Sequence, residues 1–187
     1  DAEQYMTIDA NARRTLELMS SSGGKTSGSL IKIIDNTSTS MGARMLKKWF
    51  EKPSLDIGEI NRRLDAVQQI NKNIILRDDI MSSMRGIYDL ERIAGRASYG
   101  NISPRDCVQL CGSLSALRLT KQKLADVDNE TIRKKKSAIP DFDYLEKLLS
   151  SAVNDNPSAV VREGGVIRDG FDKELDEYRL IKQNAHA

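Results

Sequence analysis

Ser103-Pro104-Arg105-Asp106 opens the stretch that decides the fold, SPRDCVQLCGSLSALRLTKQK over residues 103–123. A serine oxygen accepts from a free helix N–H, and proline takes the first helical position, where its missing N–H does no harm. Aspartate suits the positive end of the helix dipole. Behind that start Val108, Cys111, Leu114 and Leu117 recur at steps of three, so a helix is predicted to continue to about Lys123. Working outward, Ile74–Met84 and Asp89–Ala97 read as two helices before it. Asp128–Ser137 and Asp141–Ala152 read as two after it, parted by Pro140. Asp56-Ile57-Gly58-Glu59 has capping-box spacing, with Glu59 expected to reach back to the cap. The stripe Ile57, Ile60, Leu64 and Val67 follows at helical steps. Met41, Met45, Leu46, Trp49 and Phe50 form another helical pattern, ended by Pro53, with Met41, Met45 and Trp49 expected in the core. The fold class is all-α, a mainly helical bundle.

Toward the ends the signals are mixed. Tyr5-Met6-Thr7-Ile8 reads as extended, and Asp9 is placed to cap a helix from Ala10 to about Met19 with Ala12, Leu16 and Met19 on one face. SSSGGKTSG over residues 20–28 is a loop by composition, and Leu30–Ile34 is too short for periodicity to separate a helical turn from a strand. Around residues 160–168, Val160-Val161 and Val166-Ile167 flank Gly164-Gly165, which allows at most a short β-hairpin. From Phe171 onward Leu175, Tyr178 and Ile181 form a helical stripe without a stop signal. This predicts a long C-terminal helix about 25 Å in extent, and hence an excised piece of a longer protein.

Composition narrows the function. Lys and Arg (29) nearly cancel Asp and Glu (27), leaving a formal charge of +2 with no long-range field for a polyanion. Aromatics at 5% leave few platforms for stacking bases. Cys107 and Cys111 fall two ligands short of a closed zinc site, and the one histidine, His186, sits at the very end. They read as reduced, half-buried thiols. No stretch has the run of about 20 apolar residues that a membrane span needs, and the start Asp1-Ala2-Glu3 lacks signal-peptide order.

The candidates for chemistry are weak. Gly24-Lys25-Thr26 ends like a phosphate-binding loop, but the position that should hold the earlier glycine is Met19, and a helix rather than a strand precedes it. Arg133-Lys134-Lys135-Lys136 is the dense basic run. Read as a solvated face it is offset by Asp126, Asp128 and Glu130; read functionally it makes weak phosphate contacts in a helical nucleic-acid-binding module. Carboxylate pairs such as Asp78-Asp79 sit at helix starts, where capping explains them. No catalytic, cofactor-binding or metal site is assigned to this chain, and it is not expected to be an enzyme by itself.

Several stretches in order resemble the core, or lever, domain of MutS-type mismatch-repair ATPases. They are Met6–Asp9 with Arg13–Leu18; Asp35-Asn36-Thr37-Ser38-Thr39-Ser40-Met41-Gly42-Ala43-Arg44-Met45-Leu46 with Trp49 and Pro53; and Ile60–Val67. Asp89-Leu90-Glu91-Arg92-Ile93, Pro104-Arg105-Asp106, Arg162–Ile167 and Gly170–Glu177 complete the set. The resemblance implies a helical core over residues 1–170 and, from 171 to 187, the start of a long lever helix leading to an absent clamp domain. It also implies a returning helix elsewhere in the parent. The parent would bind ATP with magnesium in another domain, pair with a second subunit and other domains of its own chain, and hold mismatched double-stranded DNA in the bacterial cytoplasm near the nucleoid. Thr37, Gly42, Trp49, Arg92, Leu175 and Tyr178 are the expected structural and coupling positions. Thr37, Thr39 and Ser40 should satisfy helix N–H groups, Gly42 should admit another element, and Arg92 and Arg96 should brace helix ends.

Overall fold

The computed structural model describes residues 4–185, so His186 lies outside the described residues. Among the described residues ten α-helices follow one another: α1 (Ala10–Thr15), α2 (Leu30–Ile34), α3 (Ser40–Glu51), α4 (Ile57–Asn71), α5 (Ile74–Met84), α6 (Leu90–Ser98), α7 (Pro104–Lys123), α8 (Glu130–Ser137), α9 (Asp143–Ala152) and α10 (Lys173–Asn184). Among the described residues the only β-pairing consists of two isolated antiparallel bridges, Tyr5 with Ser54 and Val153 with Ile167. The fold is all-α.

The chain forms two compact units. One comprises the residues up to Arg85 together with Leu119–Ile139; the other is Gly86–Arg118 with the residues from Pro140 onward. In the first unit α4 packs on α5 and α8, and Leu18, Ile80, Val127 and Ile132 are buried. Lys123 pairs with Asp79 at 3.3 Å, and Lys121 donates to the Ile139 carbonyl at 2.8 Å. The second unit buries Ile93, Leu114 and Ala116 around Ser113. The Ser113 hydroxyl accepts from the Tyr88 N–H at 2.9 Å and donates to the Gln109 carbonyl at 2.7 Å, so its full burial leaves no polar atom unpaired.

Three expectations are corrected. The helix from Ala10 stops at Thr15, because Glu17 takes φ +47° and the chain turns back. The Leu18 N–H then reaches the Arg13 carbonyl and the Glu17 N–H the Arg14 carbonyl, a Schellman closure with glutamate in the place usually held by glycine. The Glu17 carboxylate accepts from the Ser22 backbone and hydroxyl, which offsets the strain and lowers its pKa. Leu18 is thereby buried and Leu16 exposed, the reverse of the predicted face. The hairpin at 160–168 does not form. Val161–Glu163 winds into one 3-10 turn, Gly164 and Gly165 both take positive φ, and Ile167 pairs with Val153 instead. The more distant partner wins because Asn154 supplies a side-chain amide to the Gly165 carbonyl at 2.7 Å, and Arg168 donates a guanidinium N–H to the Val153 carbonyl at 3.1 Å. The last helix begins at Lys173 rather than Phe171, with Asp172 accepting from the Leu175 N–H, and its 12 residues span about 18 Å.

The start of α7 is built as its letters suggest, with one addition. The Asp106 N–H donates to Ser103 Oγ at 3.2 Å, and the Ser103 N–H donates back to the Asp106 carboxylate at 3.0 Å. The same carboxylate takes both arms of Arg96, at 2.9 and 2.6 Å, locking the end of α6 to the start of α7. Arg96 and the Ser103 bonds hold the Asp106 carboxyl at a pKa of about 2, against a burial effect that pulls upward. Because the folded-state value lies below the ordinary 3.8, the stabilisation is present above pH 3.8 and is lost as pH falls through about 2. Asp106→Asn is therefore expected to lower stability at neutral pH by about 1–3 kcal/mol. The gap between the variant and the parent sequence should close between pH 4 and pH 2, as read from urea unfolding midpoints at several pH values. A gap that stays constant over that range would refute the assignment.

Candidate functional site

The most structured polar constellation lies in the first unit, around α3 and α4. Asp35 accepts from the Thr37 N–H at 3.0 Å and the Thr37 hydroxyl at 2.7 Å, bonds that lower its pKa. Thr37 is thus engaged by Asp35, and Thr39 caps α3, its hydroxyl accepting from the Gly42 N–H at 3.0 Å. A Cβ on Gly42 would stand 3.0 Å from Thr39 Oγ1 and 3.4 Å from Thr37 Cβ. The close approach that Gly42 allows is therefore to its own capping loop and not to another element.

Trp49, on the last turn of α3, is 40% exposed, and Met45 is 49% exposed. The expectation of a Met41–Met45–Trp49 core stripe is corrected: the indole face is covered by a cation. The Arg63 guanidinium from α4 lies 4.0 Å from the ring centroid, within cation–π range, and is paired with Glu59 on its other side. Glu59 accepts from the Ser54 hydroxyl at 3.1 Å, and Ser54 Oγ accepts from the Asp56 N–H at 3.2 Å. Asp56 in turn accepts from the Glu59 N–H at 3.1 Å. The predicted capping box is present, with its return half relayed through Ser54. The linked groups tie the end of α3 to the start of α4.

The other candidate residues are dispersed. Arg92 pairs with Asp89 of its own helix start, at 3.4 Å, and its side chain is 74% exposed; Arg96 is the residue that braces two helices. On α10 Leu175 is half-buried and Tyr178 exposed, with the Tyr178 hydroxyl donating to Glu174 at 3.0 Å. Sequence reasoning missed Arg179. Its guanidinium donates to Asp169 at 2.7 Å, Asp176 at 2.8 Å and the Ile167 carbonyl at 2.7 Å, fastening α10 to the bridge at Val153 and Ile167. The Asp176–Arg179 spacing was readable on a helix, but the other two partners depend on the turn before it. Glu146, held by Ser115 and Arg118 with its pKa lowered, was missed in the same way.

In the basic run Arg133 pairs with Asp128 at 3.1 Å and Lys134 with Glu130 at 2.6 Å, while Lys136 donates to the Ala125 carbonyl at 3.3 Å. Lys135 is exposed on α8. The glycine loop does not fit a nucleotide phosphate. Its Ser21 and Gly24 N–H groups close the loop on the Lys25 and Ser21 carbonyls, and the Ser22 N–H goes to Glu17. Cys107 and Cys111 are free thiols that burial pushes up in pKa. Among the described residues no cluster of three or more metal-ligating side chains occurs, and no helix is long and apolar enough to cross a membrane.

Residues 11–186 match the family model of MutS domain III. A DNA mismatch repair protein MutS from Desulforamulus reducens is 42% identical over 176 residues, covering 94% of this chain and 20% of its own length. Proteins of the same name from Alkaliphilus metalliredigens and Bacillus cytotoxicus are 40% and 37% identical, covering 94% and 97% of this chain and 20% of each relative. The chain thus spans about a fifth of the length of the relatives it matches. With a family model covering nearly all of it and relatives aligned over 94–97% of it, this chain belongs to the MutS domain III family.

Proposed function

We propose that this chain is the mechanical core segment of a MutS-type mismatch-repair protein, passing motion between an ATP-binding domain and a DNA clamp that both lie elsewhere in the parent. The observation that carries the reading is the root of α10. Arg179 binds two carboxylates and one backbone carbonyl, and Asp176 also accepts from the Gly170 N–H at 2.8 Å. A helix fixed at its base by three charge-assisted bonds to the segment before it, with Asp176 also holding Arg179 from within the helix, resists pivoting there, so displacement at one end is carried along its length. Coupling of two ligands requires a body with two arrangements that each ligand biases differently. In this reading Thr37, Gly42 and Trp49 keep α3 rigid, Arg92 supports the start of α6, and Leu175 and Tyr178 belong to the lever. The chain itself performs no catalysis. The parent would be the ATPase, with magnesium, and would act in the bacterial cytoplasm on mismatched duplex DNA together with a second subunit.

Breaking the lever tests this. In the full-length parent, Tyr178→Pro, in the interior of α10, costs the helix about 3 kcal/mol and Leu175→Gly, in its first turn, up to about 1 kcal/mol. Both are expected to slow ATP-triggered release from mismatched DNA while leaving ATP binding itself unchanged. Release rates followed by stopped-flow fluorescence that match the unaltered protein would sink the proposal. A helical nucleic-acid module using Arg133 to Lys136 is the rival, and it requires a salt-dependent DNA affinity of this chain that vanishes when those four charges are reversed.

The same reading accounts for bare apolar surface on α10, where Tyr178 is 60% and Ile181 63% exposed. Further segments of the parent would cover it. The chain alone should therefore self-associate at high concentration and bind an apolar dye. A strict monomer by light scattering, with no dye fluorescence, would contradict that.

A further inference from the structure

Asp169-Gly170 is the only Asp-Gly pair in the sequence, which has no Asn-Gly pair. In the second unit it forms the centre of the turn just before α10, closed by the Phe171 N–H on the Arg168 carbonyl at 3.3 Å. Gly170 takes φ +83°, a conformation that strains any residue with a Cβ, so the turn requires glycine there. That requirement has a chemical consequence. A glycine after an aspartate leaves its amide nitrogen with no side chain to obstruct approach to the aspartate Cγ, and Asp-Gly pairs in open chains cyclise more readily than other Asp-X pairs for that reason. The Asp169 side chain is also 92% exposed, so water reaches it freely.

In the cyclisation the Gly170 nitrogen attacks Cγ of the protonated Asp169 carboxyl, the Cγ–OH bond breaks, and the hydroxyl leaves with the nitrogen's proton as water. Water then adds to either carbonyl of the succinimide ring. Breaking the N–Cγ bond restores aspartate; breaking the bond from nitrogen to the α-carbonyl leaves isoaspartate, of unchanged mass but with one more carbon in the main chain. In the folded chain both reactants are held. The Gly170 N–H donates to one Asp176 oxygen at 2.8 Å, while Arg179 donates to the other at 2.8 Å and to Asp169 at 2.7 Å. The hold on Asp169 is weak, because that carboxylate lies almost wholly in water. The hold on the nitrogen is the stronger, since Asp176 is mostly covered and engaged at both oxygens. We infer that Asp169 is a site of spontaneous isoaspartate formation, kept closed by Asp176 while α10 is seated and opened when the root of that helix loosens. The product carries a free α-carboxylate beside a lengthened main chain, the group that isoaspartyl methyltransferases esterify with S-adenosylmethionine. The inference stands on the turn and its bonds and does not depend on the mechanical reading.

The test ages four samples at neutral pH and body temperature for several weeks: the 187-residue chain, its Asp176→Ala and Arg179→Gln variants, and a free peptide of residues 166–174. Isoaspartate is counted by methyl transfer from labelled S-adenosylmethionine with an isoaspartyl methyltransferase. It is placed by electron-transfer fragmentation of the peptide 148–173 that cleavage after lysine releases. The free peptide should isomerise at residue 169 at least ~10-fold faster than the unaltered chain, as loss of a bond to a charged acceptor implies. Asp176→Ala should speed the chain at least ~5-fold, and Arg179→Gln should act in the same direction by a smaller factor. An unaltered chain that isomerises as fast as the free peptide overturns the inference, as does a folded Asp176→Ala chain that ages no faster than the unaltered one. Absence of isoaspartate at residue 169 from the peptide and both variants overturns it too. Should circular dichroism show Asp176→Ala unfolded, Arg179→Gln and the comparison with the free peptide decide.

Discussion

A helix of ten residues leaves four of its N–H groups without an internal partner, and each of the ten helices among the described residues meets that cost. Most of this protein's architecture follows from how the cost is met. Asp9, Thr39, Asp56, Asn73, Asp89, Asn129 and Asp172 each place a side-chain oxygen on an N–H of the following helix, and Ser103 does so for α7. Each such cap stabilises by about 1 kcal/mol. Summed over the chain, that is comparable with the net stability of an ordinary domain, whereas few side chains here are fully buried. The ends of the helices therefore matter as much as their faces.

Where one cap recruits a second group, helices become joined. Asp106 accepts from the N–H of Ser103, the cap of α7, and also grips Arg96 at the end of α6. Glu59 lies in the first turn of α4 and holds the Arg63 guanidinium, which then lies on Trp49 of α3. Asp176 accepts from the Gly170 N–H and also holds Arg179. The same economy recurs in each case: a carboxylate needed for a helix start carries an arginine that reaches a neighbouring element. Arginine suits this role because its planar fork keeps its geometry while meeting two acceptors at once.

This explains what could be read from the letters. Caps are local, lying within three residues of the N–H they serve, so Asp9, Asp56 and Ser103 were legible, as was the helical character of nearly every segment. Asn73 and Asn129 were legible in principle and passed over. The Glu17 turn was not legible, because glutamate at positive φ carries no composition signal; its stability comes from Ser22, five residues on. The pairing of Ile167 with Val153 was hidden for a similar reason. Gly164-Gly165 announced a reversal, but the partner strand was chosen by Asn154 and Arg168, whose side chains the alternation of apolar residues does not register. Of the candidate positions, Thr37 and Gly42 were rightly placed at a helix start but given the wrong neighbours. Trp49 was assigned to a core when its large aromatic face is served by Arg63.

Part of the exposed apolar surface lies where the charges around it are already paired. On α4, Ile57, Leu64 and Val67 are 73%, 59% and 58% exposed, flanked by charges that already balance, Arg62 with Asp56 at 3.8 Å and Arg63 with Glu59. A stripe at helical spacing with its charges neutralised in place has no further electrostatic demand, so packing alone would satisfy it. That is the requirement of permanent cover, in a chain that spans about a fifth of the length of the relatives it matches.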